Sequence, residues 1–190
     1  MTTVPAAVIL AAGKGGRAGQ PKHRLQAGGE TFLGIVAGVA QGAGLRPVIC
    51  VVAPDEEANV GVAVTGTCEV IVNPDPSRGM MSSLQEGMRV TPPDAGVFVF
   101  PVDHPYVAPA TLAILVRVVQ ADPTVIIKPE YNGHGGHPVF LPASMRSLVL
   151  GADGTLSLRV VIEQSRLRVI RVPVDDDGVI HNVNTPDDIR

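Results

Sequence analysis

The chain has 190 residues, 45% of them hydrophobic, so one domain with a sizeable core is expected and disorder is excluded. A net charge of −3 supplies no global basic field for nucleic acid and leaves room only for a locally basic pocket. With no Trp and 3% aromatic residues, the apolar content suits helices on a Val-rich sheet better than a Tyr-rich binding surface.

The N-terminus lacks a basic segment before its apolar stretch, so a secretory leader is not expected. Arg117 interrupts the longest apolar candidate, Ala110 to Ala121, which is too short to span a bilayer. The expected location is the cytoplasm, with no membrane partner. Cys50 and Cys68 form no CxxC and have no His at ligand spacing, so both read as structural.

Taken in order, Val8 to Leu10 reads as a first strand that ends in a Gly-rich loop, Gly13 to Gly19. Thr31 is an expected N-cap for a helix to about Gln41, stopped by Gly42 and Gly44. Val48 to Val52 reads as a second strand, with a weaker helix after Asp55, and Val70 to Val72 as a third. The loop Asn73 to Gly79 leads to a helix over Ser82 to Met88. Val97 to Phe100 is a buried strand ending at Pro101-Val-Asp-His-Pro105. A helix over Ala110 to Gln120 and a strand over Val125 to Ile127 follow. After a Gly- and His-rich loop, Pro138 to Leu141 extends again, then helices are expected near Ala143–Leu150 and Leu156–Glu163. Val169 to Val174 is a late strand before the turn Asp175-Asp-Asp-Gly178.

Strands alternating with helices predict a single α/β domain over residues 1–190, its mostly parallel central sheet covered on both faces. Ligands in such sheets bind beyond the carboxyl ends of the strands. That rule selects the first Gly-rich loop, the Asn73–Ser83 loop and the Asp103 loop.

The stretch Leu10-Ala-Ala-Gly-Lys-Gly-Gly-Arg-Ala-Gly-Gln-Pro-Lys22 carries the most information. Glycines let backbone N–H groups approach a phosphate, and Arg17 and Lys22 add two cations. Residues 13–18 formally match GxGxxG/A. A dinucleotide fold, however, starts its helix inside the motif and places an acidic residue about twenty positions on. Here Pro21 and Lys22 follow, the helix starts near Thr31, and the second strand ends in Ala53-Pro54. No Gly-Lys-Ser/Thr closes a P-loop. A solvated turn with incidental charges is the bland alternative.

Asp103, just past an apolar strand, suits Mg²⁺, which prefers hard oxygens and few protein groups. An Asx-turn or cap before Pro105 would explain it equally. Ser82 and Ser83 could bind an anion at a helix start or simply cap the helix. His134 and His137 are spaced like a metal pair, but no third ligand at suitable spacing supports zinc. His104 and His23 carry less signal, His23 reading as incidental. Thr185-Pro-Asp-Asp188 has the form of a terminal cap.

LAAGxxxRxGxxK resembles the N-terminal signature of the molybdenum cofactor nucleotidyltransferase family, part of the wider NTP-transferase superfamily. Gly16 stands for the usual Ser and Ala18 for the usual Met. The segment Asn73-Pro-Asp-Pro-Ser-Arg-Gly-Met-Met-Ser-Ser-Leu84 resembles the family's NPxxxxGMSSSL, although Pro76-Ser77-Arg78 differs from the aromatic and acidic residues common there. Pro101-Val-Asp-His-Pro105, the Gly136-His-Pro-Val139 segment and Asn182-Val-Asn-Thr-Pro-Asp-Asp188 resemble further family motifs, in order along nearly the whole chain.

The resemblance implies a three-layer Rossmann-like nucleotidyltransferase fold and magnesium-dependent transfer of a nucleoside monophosphate. The nucleotide would be held by Leu10, Ala11, Ala12, Gly13, Gly15, Arg17, Lys22, Ser82 and Ser83. Arg17, Lys22 and Asp103 would be catalytic. Asp103 and Asn184 would hold Mg²⁺, Asn184 standing where the family usually has Asp. Gly136, His137 and Pro138 would line the acceptor pocket. Ala12 makes the opening LAAG and not LAGG, which favours CTP over another NTP. The acceptor would be the terminal phosphate of molybdenum cofactor or a similar phosphorylated small molecule, with a molybdoenzyme as recipient. The rival readings are transfer to a sugar or polyol phosphate, a nucleotide-binding delivery protein without turnover, and a dehydrogenase.

Overall fold

Five-residue runs of small and β-branched residues build the centre of the sheet, because strands buried on both faces need no polar alternation. The computed structural model describes residues 4–13, 19–60, 64 and 66–190. Strand β1 (Ala6–Leu10) lies between β4 (Val48–Val52) and β6 (Val97–Pro101), parallel to both, and all three are buried along their whole length. β5 (Glu69–Val72) extends the sheet beyond β4, again parallel.

On the other side the chain reverses. β9 (Val139–Leu141) pairs antiparallel with β6 and with β7 (Ile126–Tyr131), and β10 (Val169–Pro173) pairs parallel with β7. The order is β10-β7-β9-β6-β1-β4-β5, with β8 (His134–Gly135) attached to β7. A small hairpin, β2 (Gln26–Ala27) with β3 (Glu30–Thr31), stands apart.

Period-two side-chain alternation sends Ala7 and Ile9 to one face and Ala6, Val8 and Leu10 to the other. The first face is covered by α1 (Phe32–Gly42) and α3 (Pro109–Ala121), which bury Phe32, Leu33, Leu112 and Leu115. The second is covered by α2 (Met80–Val90), α4 (Arg146–Gly151) and α5 (Leu158–Ser165), through Met81, Leu84, Val149 and Val161. Each fully buried side chain of this size contributes about 1.5–3 kcal/mol. The result is one three-layer α/β domain with a mostly parallel mixed sheet. Among the described residues, no helix is long and apolar enough to cross a membrane.

Caps set several boundaries. Thr31 Oγ1 accepts from Gly34 N at 3.1 Å, as its sequence position predicts. Asp176 accepts from Ala108 N (2.9 Å) and Thr111 Oγ1 (2.6 Å), so the late acidic turn caps the start of α3. Elsewhere the boundaries move. α2 starts at Met80, before Ser82, with Gly79 at φ 101° as its N-cap. The helix expected after Asp55 is only a 3-10 turn, Glu57–Asn59, among the described residues. β7 runs on to Tyr131 because Lys128 to Glu130 pair with β10, a tertiary effect that propensity does not carry.

Candidate active site

The carboxyl ends of β1 and β6 and the first turn of α2 enclose a cleft of about 360 Å³. Leu10, Ala12, Gly13, Lys22, Gly79, Met80, Ser83, Asp103, His104, His137 and Asn182 line it. A larger hollow of about 920 Å³ lies at the opposite end, between Pro5, Leu45, Gly96 and Phe140. It is lined mainly by apolar side chains and by none of the residues singled out in the sequence.

The cleft floor is a cation nest. Lys22 Nζ donates to Asp103 Oδ2 at 2.7 Å, Asn184 Oδ1 at 2.9 Å and Asn182 Oδ1 at 3.4 Å. These groups come from distant parts of the chain. Asp103 sits just past β6, where Val102 N donates to Leu10 O at 3.2 Å and ties the loop to β1. Val183 N donates to Asp103 O at 2.9 Å, so the flanking Asn182 and Asn184, two residues apart in extended chain, both face Lys22. Asp188 accepts from Asn184 N (2.9 Å) and Thr185 N (2.8 Å), so the expected cap exists on a 3-10 turn and also fixes Asn184.

Three hard oxygens around a positive charge are the donor set a Mg²⁺ or Mn²⁺ ion requires, with about three of its six positions left for water or phosphate. Here that positive charge is the Lys22 ammonium. Among the described residues no three His, Cys, Asp or Glu side chains gather to bind a metal, so carboxamide oxygens complete the set. Asn182 was not singled out in the sequence. The i, i+2 repeat of Asn182 and Asn184 in extended chain was the available signal.

Ser82 and Ser83 are buried, and Asn73 organises both: its Nδ2 donates to each hydroxyl at 2.9 Å. Ser82 Oγ in turn donates to Gly79 O at 2.8 Å, which holds the tight entry to α2. Ser83 lines the cleft; Ser82 does not. Arg17 and Gly15, both expected in the nucleotide loop, lie outside the described residues. Leu10, Ala11, Ala12 and Gly13 pass from β1 over the cleft, with Ala11 N donating to Val51 O at 2.9 Å.

Of Gly136, His137 and Pro138, expected at the acceptor pocket, His137 lines the cleft and the other two stand beside it in the chain. Gly136 N donates to Pro129 O (2.8 Å) and His137 N to Val179 O (2.8 Å). A Cβ at Gly136 would lie 2.3 Å from Val179 O, so only glycine lets these backbones meet. The His104 and His137 rings pack at 4.9 Å, and the Nδ1 atoms of both are buried without a partner among the described residues. His134 sits on the exposed β7–β8 turn, away from this pair.

Burial, with the nearby positive groups, lowers the His137 pKa to about 3. The folded protein therefore binds fewer protons here than the unfolded chain between about pH 6.5 and pH 3. The resulting stability is present above pH 6.5 and lost as pH falls towards 3. Urea unfolding midpoints should drop across this window in the parent protein. His137→Gln should flatten the drop, leaving the part due to His23 and His104, whose pKa values burial also lowers. An unchanged pH profile in His137→Gln would show that His137 does not titrate this way.

His23 is buried beside Lys22, with Nε2 3.2 Å from Glu56 Oε2. Cys50 and Cys68 are buried free thiols in β4 and before β5, away from the cleft.

Residues 7–169 match the family model described as the MobA-like NTP transferase domain. The chain belongs to that family. The MobA-like nucleotidyltransferase fold is shared with Rv0371c from Mycobacterium tuberculosis, which is 28% identical with a TM-score of 0.83 over 98% of this chain and 96% of that one. The same protein is also known in complex with manganese. A molybdenum cofactor guanylyltransferase of Rhizobium meliloti is 25% identical over 99% of this chain and 90% of its own length. A nicotine blue oxidoreductase of Paenarthrobacter nicotinovorans is 28% identical over 94% and 91%. The relatives named for their nucleotide are guanylyltransferases, which goes against the expectation of CTP drawn from the LAAG opening.

Proposed function

We propose that this member of the MobA-like family transfers a nucleoside monophosphate from a Mg²⁺-bound NTP to the terminal phosphate of molybdenum cofactor. One observation carries the reading: Asp103, Asn182 and Asn184 converge on a cation at the floor of the cleft. A passive nucleotide carrier has no need of such a nest. In this reading a phosphate oxygen of the acceptor attacks the α-phosphorus of the NTP, a new O–P bond forms, and pyrophosphate leaves in line. The nucleophile is already anionic, so no protein base is required, and catalysis rests on positioning and charge neutralisation.

Mg²⁺ held by Asp103 and Asn184, with Asn182 beside them, would polarise the α-phosphate. Lys22, released from the nest, would neutralise the departing pyrophosphate together with Arg17. Ser83, the Leu10–Gly13 backbone and the first turn of α2 would hold the nucleotide. Gly136, His137 and Pro138 would bound the acceptor, with His137 neutral. A molybdoenzyme recipient belongs to the same proposal.

The test is pyrophosphate release with molybdenum cofactor, Mg²⁺ and each of the four NTPs in turn. Release should require both substrates and be strongest with GTP, the nucleotide indicated by the relative's name. Faster turnover with CTP would overturn the GTP assignment alone. Absence of pyrophosphate with every NTP, accompanied by oxidation of a nicotinamide cofactor, would replace the transferase reading with an oxidoreductase one.

A further inference from the structure

Lys128 is a half-buried cation, and Glu130, the anion that acts on it, is already paired with Arg171. It lies in the middle of β7, on the face covered by α2, α4 and α5, two residues beyond the buried Ile126. Two guanidinium groups share its surroundings, and both have carboxylate partners. Arg171, directly opposite on β10, pairs with Glu130 at 2.9 Å, and Arg159 on α5 pairs with Glu163 at 2.9 Å. Lys128 makes no hydrogen bond or ion pair among the described residues, and burial and these two arginines lower its pKa. An ammonium in this position works against folding, because it is partly desolvated among like charges.

The turn above it is shaped around the lysine. A Cβ at Gly135 would lie 2.6 Å from Lys128 Cε and 2.8 Å from Nζ, so the end of the side chain passes against the glycine backbone. The next two residues are Gly136 and His137, and the second lines the cleft. The charges of Lys128 and Asp103 are both felt at the His137 ring, with opposite effect. Lys128 thus lies within electrostatic reach of a ring that lines the cleft.

We propose that Lys128 is an anion-binding residue of the acceptor side, taking a phosphomonoester dianion presented across His137 from the Asp103 nest. This rests on the nucleotidyltransferase reading for the acceptor's role, but the anion site itself does not. An incoming phosphate supplies the missing counter-charge, and an ammonium holds it as a point charge without imposing a planar geometry. Arg171 and Arg159 lie close enough to add to the field while keeping their own partners.

Two measurements test it. In the first, inorganic phosphate is titrated into the nucleotide-free protein and the Lys128 ε-methylene signal is followed by NMR. A saturable shift is expected, and no shift at Lys128 overturns the proposal. In the second, initial rates are measured with molybdenum cofactor and NTP varied independently. Lys128→Met should raise the acceptor KM about ten- to a hundredfold with the NTP KM unchanged, since one charged hydrogen bond is lost. Lys128→Arg should restore much of the loss. Gly135→Ala, which displaces the ammonium, should raise the same KM by less. Lys128→Met should unfold at the same temperature or higher, because it removes an unpaired charge; a marked drop would make the residue a packing element and overturn the proposal. If no NTP supports turnover but phosphate still shifts Lys128, the transferase reading fails and the anion site stands.

Discussion

Asp103→Asn is expected to lower pyrophosphate release by about 10²–10³-fold, the usual cost of removing one charge contact at a transition state. The substitution keeps the size of the side chain and can still accept from Lys22. It removes the one carboxylate among the three nest oxygens, whose partners Asn182 and Asn184 are neutral. Val102 and Val183 hold this loop through backbone bonds that the change does not touch. The thermal midpoint should therefore move little, and circular dichroism should be unchanged. Turnover within a few-fold of the parent would place the metal elsewhere.

Lys22→Met should act in two opposite directions. Turnover should fall by about 10²–10³-fold, because a charge that neutralises the leaving group is lost. Nucleotide-free Mn²⁺ binding, read by electron paramagnetic resonance, should become tighter. In the parent protein the ion must displace an ammonium that is held at 2.7 Å by Asp103 and 2.9 Å by Asn184. In the variant that competing charge is gone. Equal Mn²⁺ affinity in both proteins would mean that the ammonium and the metal do not share a site.

Much of the sheet could be read directly. Val48–Val52 and the strand ending at Asp103 are continuous apolar runs between turn signals, and a strand buried on both faces leaves that trace in its sequence. Thr31 announced its helix because capping is a local bond between near neighbours. The direction of β9 left no such trace, since three buried residues read the same in either direction. β2, β3 and β8, of two residues each, are too short for any periodicity.

In the site, the same division holds. Asp103 and Lys22 were legible because loops at strand ends concentrate unusual residues. Their pairing was not, since Lys22 and Asp103 stand 81 positions apart in the chain. Asn73 looked like part of a turn, yet its work is to hold two serines nine and ten residues later. Lys128 sits in a strand and carries no motif. Its oddity is that it makes no hydrogen bond or ion pair among the described residues, which only the packed neighbours reveal.

The reversed strand β9 divides the sheet into two blocks of parallel strands. β5, β4, β1 and β6 carry the Gly-rich loop and Asp103 at their ends, and β7 carries Lys128 and leads into the turn that reaches His137. The seam between them is three residues long and bonds to both sides. Loops on the β7 side can therefore lengthen, shorten or change charge without shifting the register of the β5–β6 block. Under the proposed function, one phosphorylated acceptor could be exchanged for another by rewriting residues 132–138, with the nucleotide side of the sheet left as it is.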